Sequence, residues 1–243
     1  RPPRSTLFPT RRSSDLGDLV AKDIRIAEVL KNYNIDFCCG GGISLERACE
    51  KKGLNPEEVM KAIDAHLAGK EPVEDKFGKM SLTELADYVT NKHHQYCRES
   101  FDFIDPLLNK VIRVHGDKHE ELAEVGDLFF ATVNELSNHM KKEENILFPL
   151  IKALEAGKLK EIDPNASVKF PIEKMEAEHT EEGDRFKKIK ELTNNFTPPE
   201  DACNTYRLTY YKLKEFNDDL EQHIHLENNI LFPKSIQLES ELV

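Results

Sequence analysis

Two stretches of this sequence carry the residues best suited to chemistry. His139-Met140-Lys141-Lys142-Glu143-Glu144-Asn145-Ile146-Leu147-Phe148-Pro149 is one, and His223-Ile224-His225-Leu226-Glu227-Asn228-Asn229-Ile230-Leu231-Phe232-Pro233 is the other. Both read His-x-x-x-Glu-x-Asn-Ile-Leu-Phe-Pro, seven identities in eleven residues at fixed offsets. On a helix, residues i and i+4 share a face, so each copy aims one imidazole and one carboxylate at the same point. A single such pair is ordinary solvated surface. Two copies, each running into an apolar Ile-Leu-Phe, bury their segments, and a buried carboxylate needs a partner. Nitrogen and oxygen donors converging from two helices suit a borderline metal such as iron, manganese or zinc.

The elements that must position these residues are long helices. Ser81, with Glu84 three residues on, reads as a capping box. It opens a helix marked by Leu82, Leu85, Val89, Phe101, Ile104, Leu108 and Ile112, with a kink expected at Pro106 and an end at Gly116. A second helix spans about 118–155 and holds the first motif. A third starts at Pro171 and carries Ile172, Met175, Phe186, Ile189 and Leu192. Thr197-Pro198-Pro199-Glu200 breaks it, and a fourth, about 200–237, carries the second motif. Four such helices with short loops make an up-down-up-down bundle whose site sits in the core.

A site on the bundle axis draws on the first and third helices as well. The third offers His179; the first offers the adjacent His93 and His94. His179 precedes His223 by 44 residues (223 − 179), and His94 precedes His139 by 45 (139 − 94). The half-repeat is therefore His, about 45 residues, then His-x-x-x-Glu, twice. Spacing favours His94 over His93, one helical step away. Four imidazoles and two carboxylates suffice for two metals, each with two His ligands, bridged by Glu143 and Glu227.

The N-terminal third has another character. Residues 1–18 are basic and Pro/Ser-rich and read as a disordered or non-native leader. Residues 19–69 read as a small helical domain. Its first helix, with Ile24, Ala27, Val29 and Leu30, is capped by Asp23; its second starts at Ser44; its third starts at Asn55-Pro56-Glu57-Glu58. Residues 70–80 read as a linker, and 81–243 as the bundle. Cys38-Cys39 is followed by Gly40-Gly41-Gly42 and the start of a helix, a setting that leaves the thiols approachable and reactive. They are the candidate catalytic thiols, with a redox switch, an iron or cluster contact, or a dimer junction as their roles. Cys49, Cys97 and Cys203 fall in helical apolar patterns and read as core.

The whole-chain numbers agree with a water-borne, all-α protein. The 243 residues carry 34 basic against 45 acidic side chains, a formal charge of −11, which argues against nucleic acid as a partner. No run approaches the roughly 18 apolar residues of a membrane helix, so no membrane is expected. Five cysteines without framework spacing point to a reducing, cytoplasmic compartment.

At this point the sequence resembles a known family, the hemerythrin-like iron–sulfur cluster repair proteins (RIC family, YtfE/ScdA type). The resemblance rests on Asp36-Phe37-Cys38-Cys39-Gly40-Gly41, on His139 to Glu144, on Glu178-His179, on Asn194-Asn195-Phe196-Thr197-Pro198-Pro199 and on His223 to Pro233. It implies a small ScdA-type N-terminal domain followed by a hemerythrin-like four-helix bundle. It also implies a centre of two non-haem iron ions held by His94, His139, Glu143, His179, His223 and Glu227. The implied partners are damaged iron–sulfur proteins and a second copy in a homodimer, in the cytoplasm, under oxidative or nitrosative stress. Whether the chain is an enzyme stays open. The alternatives are a hemerythrin-like oxygen or nitric oxide sensor or carrier, and a di-iron nitric oxide or peroxide reductase. The oxygen carriers add a histidine one turn after the third-helix ligand; here that position is Gly183. His115 matches a family histidine but falls at a helix end, and is expected at the surface or beside a ligand. His66, His119 and His225 are expected to be solvated.

Overall fold

The computed structural model describes residues 14–69 and 76–242. Among these the chain is all-α, with one isolated bridge between Asp15 and Ser44. It divides into two compact units. One holds the described residues through Ser81 together with Ile224–Lys234; the other holds Leu82–His223 and Ser235–Val243.

The first unit contains helices α1 (Leu16–Lys22), α2 (Ile26–Asn32), α3 (Leu45–Lys52) and α4 (Pro56–Leu67). Their cores are Leu16, Leu19 and Val20, Ile26 and Leu30, Leu45 and Cys49, and Val59 and Ile63, all buried. The caps follow the sequence signals. The amide of Arg47 donates to Ser44 Oγ at 3.3 Å, and that of Glu57 to Asn55 Oδ1 at 2.9 Å, just ahead of Pro56 at the first position. α3 stops at Gly53, where φ of 66° needs a residue without Cβ.

Two expectations for this region need correction. The leader does not extend to residue 18: Leu16 opens α1 and is fully buried, and its amide donates to Ile43 O at 3.0 Å. The i, i+3, i+4 spacing of Leu16, Leu19 and Val20 spans little more than one turn, too short to stand out beside the basic stretch before it. Residues 1–13 of that leader, and 70–75 of the linker, lie outside the described residues. Asp23 does not cap α2. Its carboxylate is engaged by the backbone and guanidinium of Arg25.

The bundle is built from α5 (Leu82–Tyr88, a π turn Val89–His94, then Gln95–His115), α6 (Glu121–Lys142, a π turn Glu143–Leu147, then Phe148–Glu155), α8 (Lys169–Leu192) and α9. α9 runs Asn204–Leu226, a π turn Glu227–Leu231 and Phe232–Glu241; the short α7 (Leu159–Ile162) lies in the connection before α8. α5 continues across Pro106. One phenylalanine from each long helix meets in the interior: Phe216 lies 5.6 Å from Phe101, 6.1 Å from Phe129 and 5.2 Å from Phe186 between ring centroids. Phe101 and Phe186 follow His94 and His179 by seven residues, whereas Phe216 precedes His223 by seven and Phe129 precedes His139 by ten. The sign alternates because the helices alternate in direction, so the four rings form a layer about two turns from the histidines.

Candidate metal centre

Glu143 and Glu227 each begin a π turn, and His93-His94 ends the third. π turns are rare and concentrate at functional sites. In both motif copies the cause is readable. Pro149 and Pro233 have no N–H, and their rings push against the carbonyl four residues back, at Asn145 and Asn229, inside the widened turn. No proline follows the π turn of α5 as closely; there the Thr90 hydroxyl donates to Ala86 O at 2.9 Å, a back-bond that also loosens a helix.

Six buried side chains meet in the bundle: His94, His139, His179, His223, Glu143 and Glu227, none more than 3% exposed. They form two overlapping sets of donors, His94, Glu143, His223 and Glu227 in one and His139, Glu143, His179 and Glu227 in the other. Within each set the donor atoms lie within 4.8 Å of one another. Both carboxylates belong to both sets. His94 Nε2 stands 3.2 Å and His139 Nε2 3.3 Å from Glu143 Oε2, while His139 Nε2 and His179 Nε2 are 3.0 Å apart. Two donors bound at right angles to one ion with bonds of about 2.1 Å stand about 3 Å apart. Imidazoles and carboxylates without thiolate suit iron, so the donor chemistry fits the group the sequence suggests.

The outer nitrogens are held as well. His94 Nδ1 donates to Glu144 Oε1 at 2.7 Å, and Arg98 Nη2 donates to the same oxygen at 2.7 Å. His139 Nδ1 donates to Glu178 Oε2 at 3.0 Å, with Lys142 Nζ on the other oxygen at 2.6 Å. A carboxylate on Nδ1 fixes the tautomer with Nε2 bare and facing the cluster. Both carboxylates are held charged. For Glu178 the hydrogen bond from His139 leads, and the carboxyl stays well below the usual range against the opposing effect of burial. For Glu144 burial works against the charge, but Arg98 and His94 outweigh it.

Neither partner was singled out from the sequence, although each sits next to a ligand candidate. Glu182 was missed too. It is buried one turn beyond His179, accepts from Thr132 Oγ1 at 2.5 Å and is bonded by Arg185; burial raises its pKa.

The other histidines separate cleanly. His93 is buried but belongs to neither donor set: Nδ1 is 3.0 Å from Asp219 Oδ2, and its ring stacks on His223 at 5.5 Å. His115 is remote from the cluster, with Nε2 3.2 Å from Cys203 Sγ. His119 pairs with Asp201 at 3.0 Å and His66 with Glu28 at 3.5 Å, both half-buried. His225 is not solvated. It is 1% exposed, lies edge-on to Phe37 at 5.7 Å and is 3.1 Å from Asn229 Nδ2; burial lowers its pKa to about 4. Cys203 is not core either. It is exposed, and its thiol pKa is lowered, first by the backbone amide of Tyr206. Both misreadings come from periodicity: a residue just before a helix, or on the far side of a ligand face, obeys neighbours that spacing does not reveal.

A profile for the hemerythrin HHE cation-binding domain matches residues 85–235, and ScdA_N, described as a domain of unknown function, matches residues 12–67. The iron–sulfur cluster repair protein YtfE of Pectobacterium atrosepticum is 38% identical over 226 residues, 93% of this chain and 98% of the relative. The chain belongs to the hemerythrin-like iron–sulfur cluster repair family. A probable iron–sulfur cluster repair protein of Haemophilus influenzae is 38% identical over 90% of this chain and 95% of its own length. The YtfE protein of an Escherichia coli strain is 37% identical over 93% and 97%. These relatives therefore align along nearly their whole length, small helical unit included. No helix among the described residues is long and apolar enough to cross a membrane.

Proposed function

We propose that this family member holds two iron ions and restores iron–sulfur clusters damaged by oxidative or nitrosative stress, by delivering or exchanging iron. The observation that carries the reading is the pair of donor sets that share Glu143 and Glu227. Each ion would take two imidazoles, His94 with His223 and His139 with His179, and the two carboxylates would bridge them. When bound, iron supplies an exchangeable, redox-active Lewis acid. The chain's own residues do the rest. Glu144 and Glu178 hold the imidazole protons outward, the phenylalanine layer closes one side of the core, and Gly183 leaves the third helix without a further imidazole one turn after His179. A site given one imidazole fewer by the third helix would favour exchange over reversible storage. The names of the relatives support cluster repair as the activity and damaged iron–sulfur proteins as partners. The cytoplasm as the setting and a homodimer are part of the same proposal.

Elemental analysis should give two irons per chain. His94→Ala should lose iron, and His93→Ala should keep it. Added to a cluster enzyme inactivated by nitric oxide, the iron-loaded chain should restore activity, and the His94→Ala variant should not. One metal per chain, or full repair by the iron-free variant, would sink the proposal.

A further inference from the structure

We infer that Asp36, Cys38 and Cys39 form a second metal site, a solvent-facing seat for one thiophilic divalent cation of the iron(II) or zinc(II) class. The three side chains can each bring a donor atom within 4.8 Å of the other two. The spacing of the sulfurs is the informative number. Cys38 Sγ and Cys39 Sγ are 3.9 Å apart. A disulfide would bring them to about 2.05 Å, whereas two sulfurs each about 2.3 Å from one tetrahedral ion stand about 3.8 Å apart. Adjacent thiols thus present the bite of a chelate. Asp36 Oδ1 lies 3.3 Å from Cys38 Sγ and supplies an oxygen on the same side. Cys38 is buried, Cys39 half-buried and Asp36 exposed, so one face of the trio meets solvent, where a fourth ligand or an acceptor can enter.

The loop is held in this shape before any ion arrives. Asp36 Oδ1 accepts the amides of Cys38 and Cys39, both at 3.0 Å. Asn228 Nδ2 donates to Cys38 O at 3.3 Å, and Asn229 Nδ2 lies 3.2 Å from Phe37 O and 3.3 Å from Cys38 O. Gly41 is required by that approach: a Cβ there would fall 2.3 Å from Asn229 Oδ1 and 2.6 Å from Phe37 O. The first motif copy uses its asparagine differently, Asn145 Nδ2 donating to Lys141 O of its own helix at 2.7 Å. The second copy therefore gives two consecutive residues, directly after Glu227, to the cysteine loop. On binding, the two thiols lose their protons to solvent and the ion takes two thiolates and one carboxylate, so affinity rises with pH.

The site stands apart from the repair proposal, because the His/Glu cluster contains no sulfur. The full-length chain, with the bundle iron-loaded or not, is titrated anaerobically with cobalt(II) alone, whose thiolate complexes show charge-transfer absorption. One equivalent should develop the band. Cys38→Ser/Cys39→Ser should abolish it without changing the iron content of the bundle. Asp36→Asn, which keeps an acceptor for the two amides, should keep the band and weaken cobalt binding about tenfold. No band in the native chain overturns the inference, as does an unchanged band in the double variant, which would assign it to Cys203 or the buried thiols. If the double variant misfolds, the single Cys39→Ser exchange decides, and unchanged cobalt affinity there overturns the site.

Discussion

His94 and His139 use both ring nitrogens, one toward the cluster and one toward a charged carboxylate that is itself held by a basic side chain. Loss of such an orienting partner costs about 10- to 100-fold in metal affinity. Glu178→Gln should therefore leave the helical content unchanged and speed loss of metal to a chelator by about that factor. Chelator competition followed by absorbance checks it, and an unchanged rate would show that the His139 tautomer needs no carboxylate. The ligand candidates were legible from type and spacing because a repeated His-x-x-x-Glu has few structural explanations. Their partners were not, since Glu144 and Glu178 look like ordinary helix-surface acids until a neighbouring helix supplies the imidazole. Cys203 shows the same gap from the other side. Exposed, 3.2 Å from His115 Nε2 and held toward the thiolate by the Tyr206 amide, it should alkylate faster at neutral pH than buried Cys49 and Cys97. Peptide mapping after brief iodoacetamide treatment reads this directly, and His115→Gln should slow only Cys203.

The helices themselves were largely visible in the pattern of apolar residues, with ends within a few residues of those found. Their internal irregularity was not. The three π turns fall at ligand positions, and the repeat encodes two of them through the proline that ends each motif, a signal that reads at first only as a helix boundary. Helix starts are also a matter of tertiary context. The amides of Leu82 and Thr83, at the head of α5, donate to Glu155 Oε1 and Oε2 at 2.7 and 2.9 Å, from the far end of α6. No local motif announces a cap supplied from 72 residues away. A charged acceptor on two amides at a helix N-terminus is worth about 1–2 kcal/mol. Glu155→Ala should lower the stability of the chain by about that amount in urea denaturation, leaving metal content unchanged; Glu155→Gln should recover part of the loss.

At the scale of the molecule, the second motif serves two purposes that the sequence presents as one. Its His223 and Glu227 belong to the donor sets, while Ile224–Lys234 is counted with the first unit, where His225 packs on Phe37 and Asn228 and Asn229 hold the cysteine loop. Identity between the copies drew attention to what they share; of the residues that carry the second purpose, His225 and Asn228 differ from the first copy, and the shared asparagine Asn229 is used differently from Asn145. His225 makes it measurable. Burial lowers its pKa from 6.5 to about 4, so the folded chain resists a proton that the unfolded chain accepts. The sign follows from linkage: the contribution is complete above pH 6.5 and is lost as pH falls toward and through 4. At pH 4.5 a shift of this size amounts to about 2 kcal/mol. Metal-free protein should be used, so that ligand protonation and metal release do not add to the slope. Urea denaturation at pH 7 and pH 4.5 should then show the native chain losing about 2 kcal/mol more than His225→Gln, which stays neutral throughout and retains a side-chain acceptor for the Asn229 amide. The loss should appear first as faster amide hydrogen exchange in residues 35–41 and 224–234, the segments that His225 and Asn229 join. Equal losses in the two proteins would mean that His225 takes up its proton in place, without leaving Phe37.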